Sequence, residues 1–223
     1  MKNQKFVTEI RFIPKPLFLD IRGQITTAMA SEKFDQWKID ADRTEVFTDD
    51  GLIFASYKNI GFITLRDQNI ELCIERMDEA IKIMGDLPPL RWGVRIYTII
   101  PTQKKFTTLV SEYKKKLLNF NPKNFSKING NLEDIGISYI FKNDKNKYHI
   151  ITGPMDKKQA SQIFAPNDLP NTGIFIDLDI YRESDDFYKD DFRRARITSF
   201  IRDSFTKGKE IVEELKNNID DKK

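Results

Sequence analysis

The sequence has very little cysteine and histidine: one cysteine, Cys73, and one histidine, His149, in 223 residues. A single cysteine excludes an intramolecular disulfide and every multi-cysteine zinc motif, and a single histidine excludes metal sites built on a histidine pair. Cys73 lies on the apolar stripe of a predicted helix, so we interpret it as a small core residue. His149 has no serine or cysteine motif around it, and we interpret it as structural.

Long apolar runs and glycine-rich motifs are also missing. No stretch approaches the ~18 apolar residues of a membrane span, and the first residues contain no apolar signal segment. We therefore expect a cytoplasmic protein that does not bind membranes. Dinucleotide-binding, P-loop and nucleophile-elbow glycine motifs do not occur, which disfavours dinucleotide enzymes, P-loop NTPases and serine hydrolases. The sequence implies no cofactor. It favours a protein that is not an enzyme, but it does not decide whether the protein catalyses a reaction.

The composition is that of a globular protein. Hydrophobic residues make up 39% of the chain, with 17 phenylalanines. This is enough for a core in one compact domain or in two small ones. The 37 basic and 34 acidic residues leave a net charge of +3, which neither predicts nor excludes nucleic acid.

Residues 1–101 predict an α+β half with the order β-α-β-β-α-β, as in ferredoxin-like domains. Period-2 stretches alternate with apolar spacings of three and four residues. The predicted elements are strand 6–13, helix 17–30, a strand in 34–47, strand 52–65, helix 70–84 and strand 91–100. Asp49-Asp50-Gly51 is typical of a hairpin turn between the two middle strands.

Residues 102–223 predict a second α+β half with an antiparallel or mixed sheet and a long C-terminal helix. The expected elements are helix 105–118, hairpin arms 136–141 and 148–152, strand 173–181 and a helix at about 189–219. Gly153-Pro154 is expected to end the second hairpin arm. The two halves are either separate domains that meet at residue 101 or parts of one continuous domain. A helix of that length spans about 45 Å, so we expect it either to break near Gly208 or to pack its end on a partner.

Three segments together resemble a known family. They are Thr8–Phe12, Trp92–Tyr97 and Phe175–Tyr181, the last followed by a helix that contains Arg194–Ile197 and Phe200. Their order and spacing are similar to those of a sporadically distributed family of uncharacterised prokaryotic proteins of about this length. That family has no assigned activity or catalytic residues, so the resemblance implies no function.

Asp177 and Asp179 are the strongest candidates for a metal site. Two carboxylates two residues apart on a strand share a face of the sheet. With Glu183, Asp185 and Asp186 close behind, they would offer oxygen ligands to Mg²⁺ or Mn²⁺. The sequence therefore allows a metal-dependent phosphodiesterase or nuclease.

The same two aspartates also fit a structural role, which we favour. Arg91 and Arg95 share one face of another strand, and cross-strand pairs of opposite charge contribute roughly 0.2–1 kcal/mol each. Glu9 and Arg11 repeat this arrangement on the first strand. We therefore predict a self-neutralising ladder of ion pairs on one sheet face.

A basic segment lies between residues 104 and 127, where seven lysines stand against one acid, Glu112. Lysines interleaved with Phe106, Tyr113, Phe120 and Phe125 are compatible with nucleic-acid binding. A solvated helix face is the alternative that we favour, because Phe106 and Tyr113 lie on the apolar stripe. The candidate nucleic-acid contacts are Lys104, Lys105, Lys114, Lys115 and Lys116.

The function that this sequence favours is that of a non-catalytic binding protein. The predicted helix is longer than the domain beneath it, which suggests self-association, with a homodimer as the simplest form. The contact would be that helix or a sheet edge, and a different protein partner is also compatible with the pattern. Nucleic-acid binding and metal-dependent phosphodiester cleavage are the two alternatives.

Overall fold

The computed structural model describes residues 3–30, 36–49, 51–117, 132–143, 145–165, 169–183 and 194–220, without the side chains of 116, 117 and 218–220. These residues form nine β-strands and five α-helices. In chain order they are β1 Gln4–Phe12, α1 Phe18–Met29, β2 Gln36–Ile39, β3 Arg43–Thr48, β4 Gly51–Ser56, β5 Asn59–Thr64, α2 Ile70–Met84, β6 Pro89–Pro101, α3 Phe106–Leu117, β7 Ile137–Asn143, β8 Asn146–Asp156, α4 Lys157–Ala160, β9 Thr172–Glu183 and α5 Arg194–Asp220.

All nine strands belong to one sheet in the order β2-β3-β4-β5-β1-β6-β9-β8-β7. Every neighbouring pair is antiparallel. The predicted α+β class and the long C-terminal helix are confirmed. Strand β6 pairs with β1 on one side and with β9 on the other, so the sheet crosses residue 101, where the sequence predicted a boundary between halves.

The predicted ferredoxin-like order does not appear, because two of the predicted strands each fold as a hairpin. Residues 36–48 contain β2 and β3, and residues 51–64 contain β4 and β5. The second hairpin turns at Ser56, whose Oγ accepts hydrogen bonds from the backbone N–H groups of Lys58 and Asn59. Such a local side-chain turn competes with an extended strand. The order of the first half is therefore β-α-β-β-β-β-α-β.

The predicted strand end at Gly153-Pro154 is wrong. Strand β8 continues through both residues to Asp156, with Pro154 opposite Ile174 of β9. On its other side, β8 is last paired with β7 at Thr152. Pro154 therefore lies where one edge of β8 has no neighbouring strand among the described residues, and a residue without an N–H is tolerated at such a position.

The main core lies between the sheet and the helices packed on one of its faces. Alternate residues of β1, β6 and β9 point into it and are fully or almost fully buried; they include Phe6, Ile10, Trp92, Val94, Ile96, Leu178 and Ile180. Helix α3 joins the same face, where the Tyr113 hydroxyl lies 3.3 Å from Oγ1 of Thr152. A smaller cluster around α4 covers one corner of the opposite face; it contains Ile99, Met155, Ala160, Phe164 and Leu169.

Helix α5 runs without a break through Gly208. It has 27 residues and is about 40 Å long at 1.5 Å per residue. A Cβ atom at Gly208 would lie 2.6 Å from Cδ1 of Ile96 and 3.3 Å from Cδ1 of Ile180. The glycine therefore allows the helix to approach β6 and β9 closely. No helix in the described part of the chain is long and apolar enough to cross a membrane.

Candidate binding surfaces

The sheet face opposite α1, α2, α3 and α5 is the first candidate surface, and we call it the open face. Among the described residues, its only helical cover is the corner that α4 occupies. The central strands place mostly polar side chains on it, because alternate residues of a strand point to opposite sides of the sheet. They include Lys5, Glu9, Arg11, Arg91, Arg95, Tyr97, Lys147, His149, Asp177, Asp179 and Tyr181.

Arg95 and Asp177 form the ion pair of the open face whose carboxylate is the most buried. Nε of Arg95 donates to Oδ1 of Asp177 at 2.6 Å, and Nη2 donates to Oδ2. The Asp177 side chain is 6% exposed, whereas that of Arg95 is 40% exposed. Asp179, not Asp177, lies directly opposite Arg95 in the strand register, so the pair is diagonal. A bidentate guanidinium–carboxylate pair fixes both side chains.

Arg91 reaches Asp179 by lying along its own strand. Nη2 of Arg91 donates to Oδ2 of Asp179 at 2.7 Å, although Asp179 lies four residues along β9 from Glu183, the residue directly opposite Arg91. The side chain passes over Gly93, where a Cβ atom would lie 2.6 Å from Nη1 of Arg91. The guanidinium also packs on the ring of Tyr181, 4.7 Å from its centroid. Gly93 therefore leaves the space in which Arg91 lies.

Glu9 belongs to a separate and more exposed pair on β1. Its Oε2 accepts from Nε and Nη2 of Arg11 at 3.0 and 2.8 Å, and its Oε1 accepts from Nδ2 of Asn59 at 2.8 Å. Burial raises the pKa of Glu9, but the hydrogen bonds from Arg11 and Asn59 outweigh that effect and leave the pKa below its usual value. Glu9 is thus held as a carboxylate.

The two aspartates do not behave as an open pair of metal ligands. Burial raises the pKa of Asp179, and the charges of Arg91 and Arg95 offset this only in part. The hydrogen bonds that Arg95 donates to Asp177 raise the pKa of Arg95. The described residues contain no group of three or more acidic, cysteine or histidine side chains arranged to hold a metal ion. Asp185 and Asp186 lie outside the described residues, so metal binding at Asp177 and Asp179 stays a prediction.

The predicted nucleic-acid contacts lie on and just before α3, away from the open face. Lys104 donates to both carboxylate oxygens of Glu112 at 2.8 Å. Lys105 and Lys115 are exposed, and Lys114 is half-buried. The side chain of Lys116 and all of residues 118–131 lie outside the described part, so this hypothesis also stays a prediction.

The lone histidine and the lone cysteine lie in different environments. His149 is on the open face, opposite Asp179, and its Nε2 lies 2.7 Å from Oγ of Ser138. This contact was not expected from the sequence, because the two residues belong to different arms of the hairpin. Cys73 is buried in the core beneath α2, and burial raises the pKa of its thiol to about 12. The cysteine is therefore held as an unreactive thiol.

The second candidate surface is the outer edge of β7, which we call the β7 edge. In the part of the chain that the structure describes, strand β7 is the last strand of the sheet on its side. Three consecutive large apolar side chains are exposed on it: Tyr139 by 40%, Ile140 by 65% and Phe141 by 55%. The rings of Tyr139 and Phe141 stack at 6.3 Å on one face, and Ile140 points to the other face. An edge strand of seven residues with exposed apolar side chains is a template for pairing with another strand.

The opposite edge of the sheet is less suited to pairing. Strand β2 has four residues, against seven in β7. Lys38 and Asp40 form an ion pair on that edge at 2.6 Å. Short strands and charged side chains are the usual protection of a sheet edge against pairing. Trp37 is exposed there, but the β7 edge is the longer and more apolar of the two.

No protein-family model and no curated protein matches this chain. The resemblance drawn from the three segments therefore stays a prediction, and the candidate surfaces are argued from this chain's own geometry. Sequence reasoning placed the arginines and aspartates on facing strands of one sheet face. It missed the β7 edge, although three successive large apolar residues in a short hairpin arm were a usable signal for a strand that cannot bury both of its faces.

Proposed function

We propose that this chain is a non-catalytic binding protein that self-associates through the β7 edge. The observation that supports this proposal is the run of Tyr139, Ile140 and Phe141, exposed on both faces of the terminal strand of the sheet. Exposed apolar residues are common singly, but a contiguous group beside an edge strand is typical of an interaction site.

The alternative contact, helix α5, has its apolar stripe covered by its own sheet. Ile201 and Val212 are at most 1% exposed, and Phe205 packs on the ring of Phe6 at 5.8 Å. The outward positions of the helix are charged and form ion pairs, among them Arg202 with Glu71 and Lys209 with Asp67. A partner would therefore meet a charged and hydrated surface on α5, which favours the β7 edge as the contact.

The expected dimer is weak. Stable interfaces bury about 1,200–2,000 Å² in total, and an aromatic side chain buries about 150–250 Å². Tyr139 and Phe141 are each only about half exposed, so pairing of this one strand buries well below the area of a stable interface. We therefore expect an association that is seen at tens to hundreds of micromolar, and an assay at a single low concentration would miss it.

Sedimentation equilibrium from about 5 to 500 μM tests the proposal. We expect the weight-average mass of the wild type to rise with concentration and that of Ile140→Lys to stay at the monomer value. Leu19→Lys is the matched control, because Leu19 is also an exposed apolar residue but lies on α1. A wild type that is monomeric at every concentration refutes self-association. A dimer that Ile140→Lys leaves intact moves the contact away from β7.

A further inference from the structure

The registers of the sheet determine which backbone groups of β7 point away from the molecule. In an antiparallel sheet, successive residues of a strand direct their N–H and C=O groups to opposite sides. The N–H of Ile99 donates to the carbonyl of Asn3 at 3.2 Å, so the odd-numbered residues of β6 bond to β1. The even-numbered residues of β6 therefore bond to β9.

The same alternation continues strand by strand to the edge. Ile96 lies opposite Leu178, so even-numbered residues of β9 bond to β6 and odd-numbered ones bond to β8. Asp177 lies opposite Ile151, so odd-numbered residues of β8 bond to β9 and even-numbered ones bond to β7. Ile150 lies opposite Tyr139, so the odd-numbered residues of β7 bond to β8. The backbone groups that point outward belong to Ser138, Ile140 and Lys142.

We infer that two copies of this chain pair their β7 strands antiparallel, with the two-fold axis at Ile140. This inference rests on the proposed self-association through the β7 edge. It places Ile140 opposite Ile140 of the second copy and aligns the strand with itself over its whole length, from Ile137 to Asn143. Each outward residue then meets an outward residue, and such pairs exchange two backbone hydrogen bonds. The two sheets become one continuous sheet.

The side chains of β7 agree with this register. Tyr139 meets Phe141 of the second copy, in the type of pair that brings side chains closest together. Aromatic cross-strand pairs are among the most stabilising. Ser138 meets Lys142 of the second copy, so no two like charges face each other.

The neighbouring symmetric registers fit less well. A shift of two residues toward the hairpin turn places Lys142 opposite Lys142 of the second copy, and like charges directly opposite are destabilising. The opposite shift places Ser138 on the axis. Phe141 then lies opposite a residue of the second copy that is outside β7, and it has no cross-strand partner in that strand. One-residue shifts of the axis, to Tyr139 or to Phe141, match Ile140 with a polar residue, Ser138 or Lys142. Register follows the apolar pattern, which selects the axis at Ile140.

Single cysteines at successive positions distinguish these registers. A disulfide needs a Cβ–Cβ distance of about 3.5–4.5 Å. Directly opposite residues lie ~4.5–5.5 Å apart, which a small shift of the two edge strands closes, whereas diagonal neighbours lie ~7–8 Å apart. In a Cys73→Ala background, we expect Ile140→Cys to form a disulfide-linked dimer under mild oxidation. Tyr139→Cys and Phe141→Cys, on either side, should cross-link at least about ten-fold more slowly, since their sulfurs are diagonal. The measurement is the rate of dimer formation on a non-reducing gel at about 200 μM protein.

The outcomes separate the register from the proposed function. If sedimentation shows a dimer but cross-linking is fastest at 139 or 141, the axis at Ile140 is wrong and self-association stands. If a dimer forms and none of the three positions cross-links, antiparallel β7 pairing is wrong. If the wild type is monomeric throughout, the proposed function and this inference fall together.

Discussion

Replacing Arg95 with methionine tests whether the open face is held together by its ion pairs. Methionine retains most of the aliphatic stem and removes the guanidinium that donates to both oxygens of Asp177. The carboxylate is almost fully buried and would lose its partner. Removing one member of a buried pair costs about 3–5 kcal/mol. Because Arg95 itself is partly exposed and water would reach the vacated space, we expect the lower cost of about 2–3 kcal/mol.

Urea denaturation at pH 7 measures this cost. A denaturant slope of about 2–3 kcal/mol per M for a chain of this size turns the loss into a midpoint shift of about 1 M. In an Asp177→Asn background, Arg95→Met should cost less, about 1 kcal/mol, because it still loses the contact with the ring of Tyr97 and the attraction to Asp179.

Arg11→Met is the matched control, because the Arg11–Glu9 pair has the same chemistry but is much more exposed. Its expected cost is at most about 1 kcal/mol. Equal losses for the two arginine variants, or a cost for Arg95→Met below about 0.5 kcal/mol at pH 7, would refute the reasoning. A thermal shift of the wild type with Mn²⁺ that Asp177→Asn abolishes would instead support the metal hypothesis.

Two further predictions follow from the packing and the charge of single residues. Gly208→Val should lower the free energy of unfolding, measured by urea denaturation, by about 1–3 kcal/mol, because the valine side chain meets Ile96 and Ile180. The control is Thr206→Val at an exposed position of the same helix, which should change the free energy of unfolding by less than about 0.5 kcal/mol. Since the folded-state pKa of Glu9 is lowered, its stabilisation is present at neutral pH and is lost as the pH falls through that pKa. Glu9→Gln should therefore cost up to about 1 kcal/mol at pH 7 and nothing well below pH 4, in a pH series of denaturation curves; a constant difference would contradict this.

The sequence alone was sufficient for part of the local structure. Helix α2 begins and ends at the predicted residues 70 and 84, because its apolar stripe is continuous and Gly85 ends it with a left-handed φ of 73°. The strands that carry Arg91, Arg95, Asp177 and Asp179 were also predicted, with the correct faces, because a half-buried strand alternates strictly. These features depend on neighbours within a few residues along the chain.

Tertiary structure decided what depends on distant neighbours. Arg95 bonds to the diagonal Asp177, not to the opposite Asp179, and Arg91 reaches Asp179 only because Gly93 leaves the space between them. No local pattern contains that geometry. The need for glycine at position 208 of α5 likewise depends on Ile96 and Ile180, which lie on two other elements. The exposure of Ile140 is set by the position of β7 at the end of the sheet, since the same apolar residues in a central strand would be core.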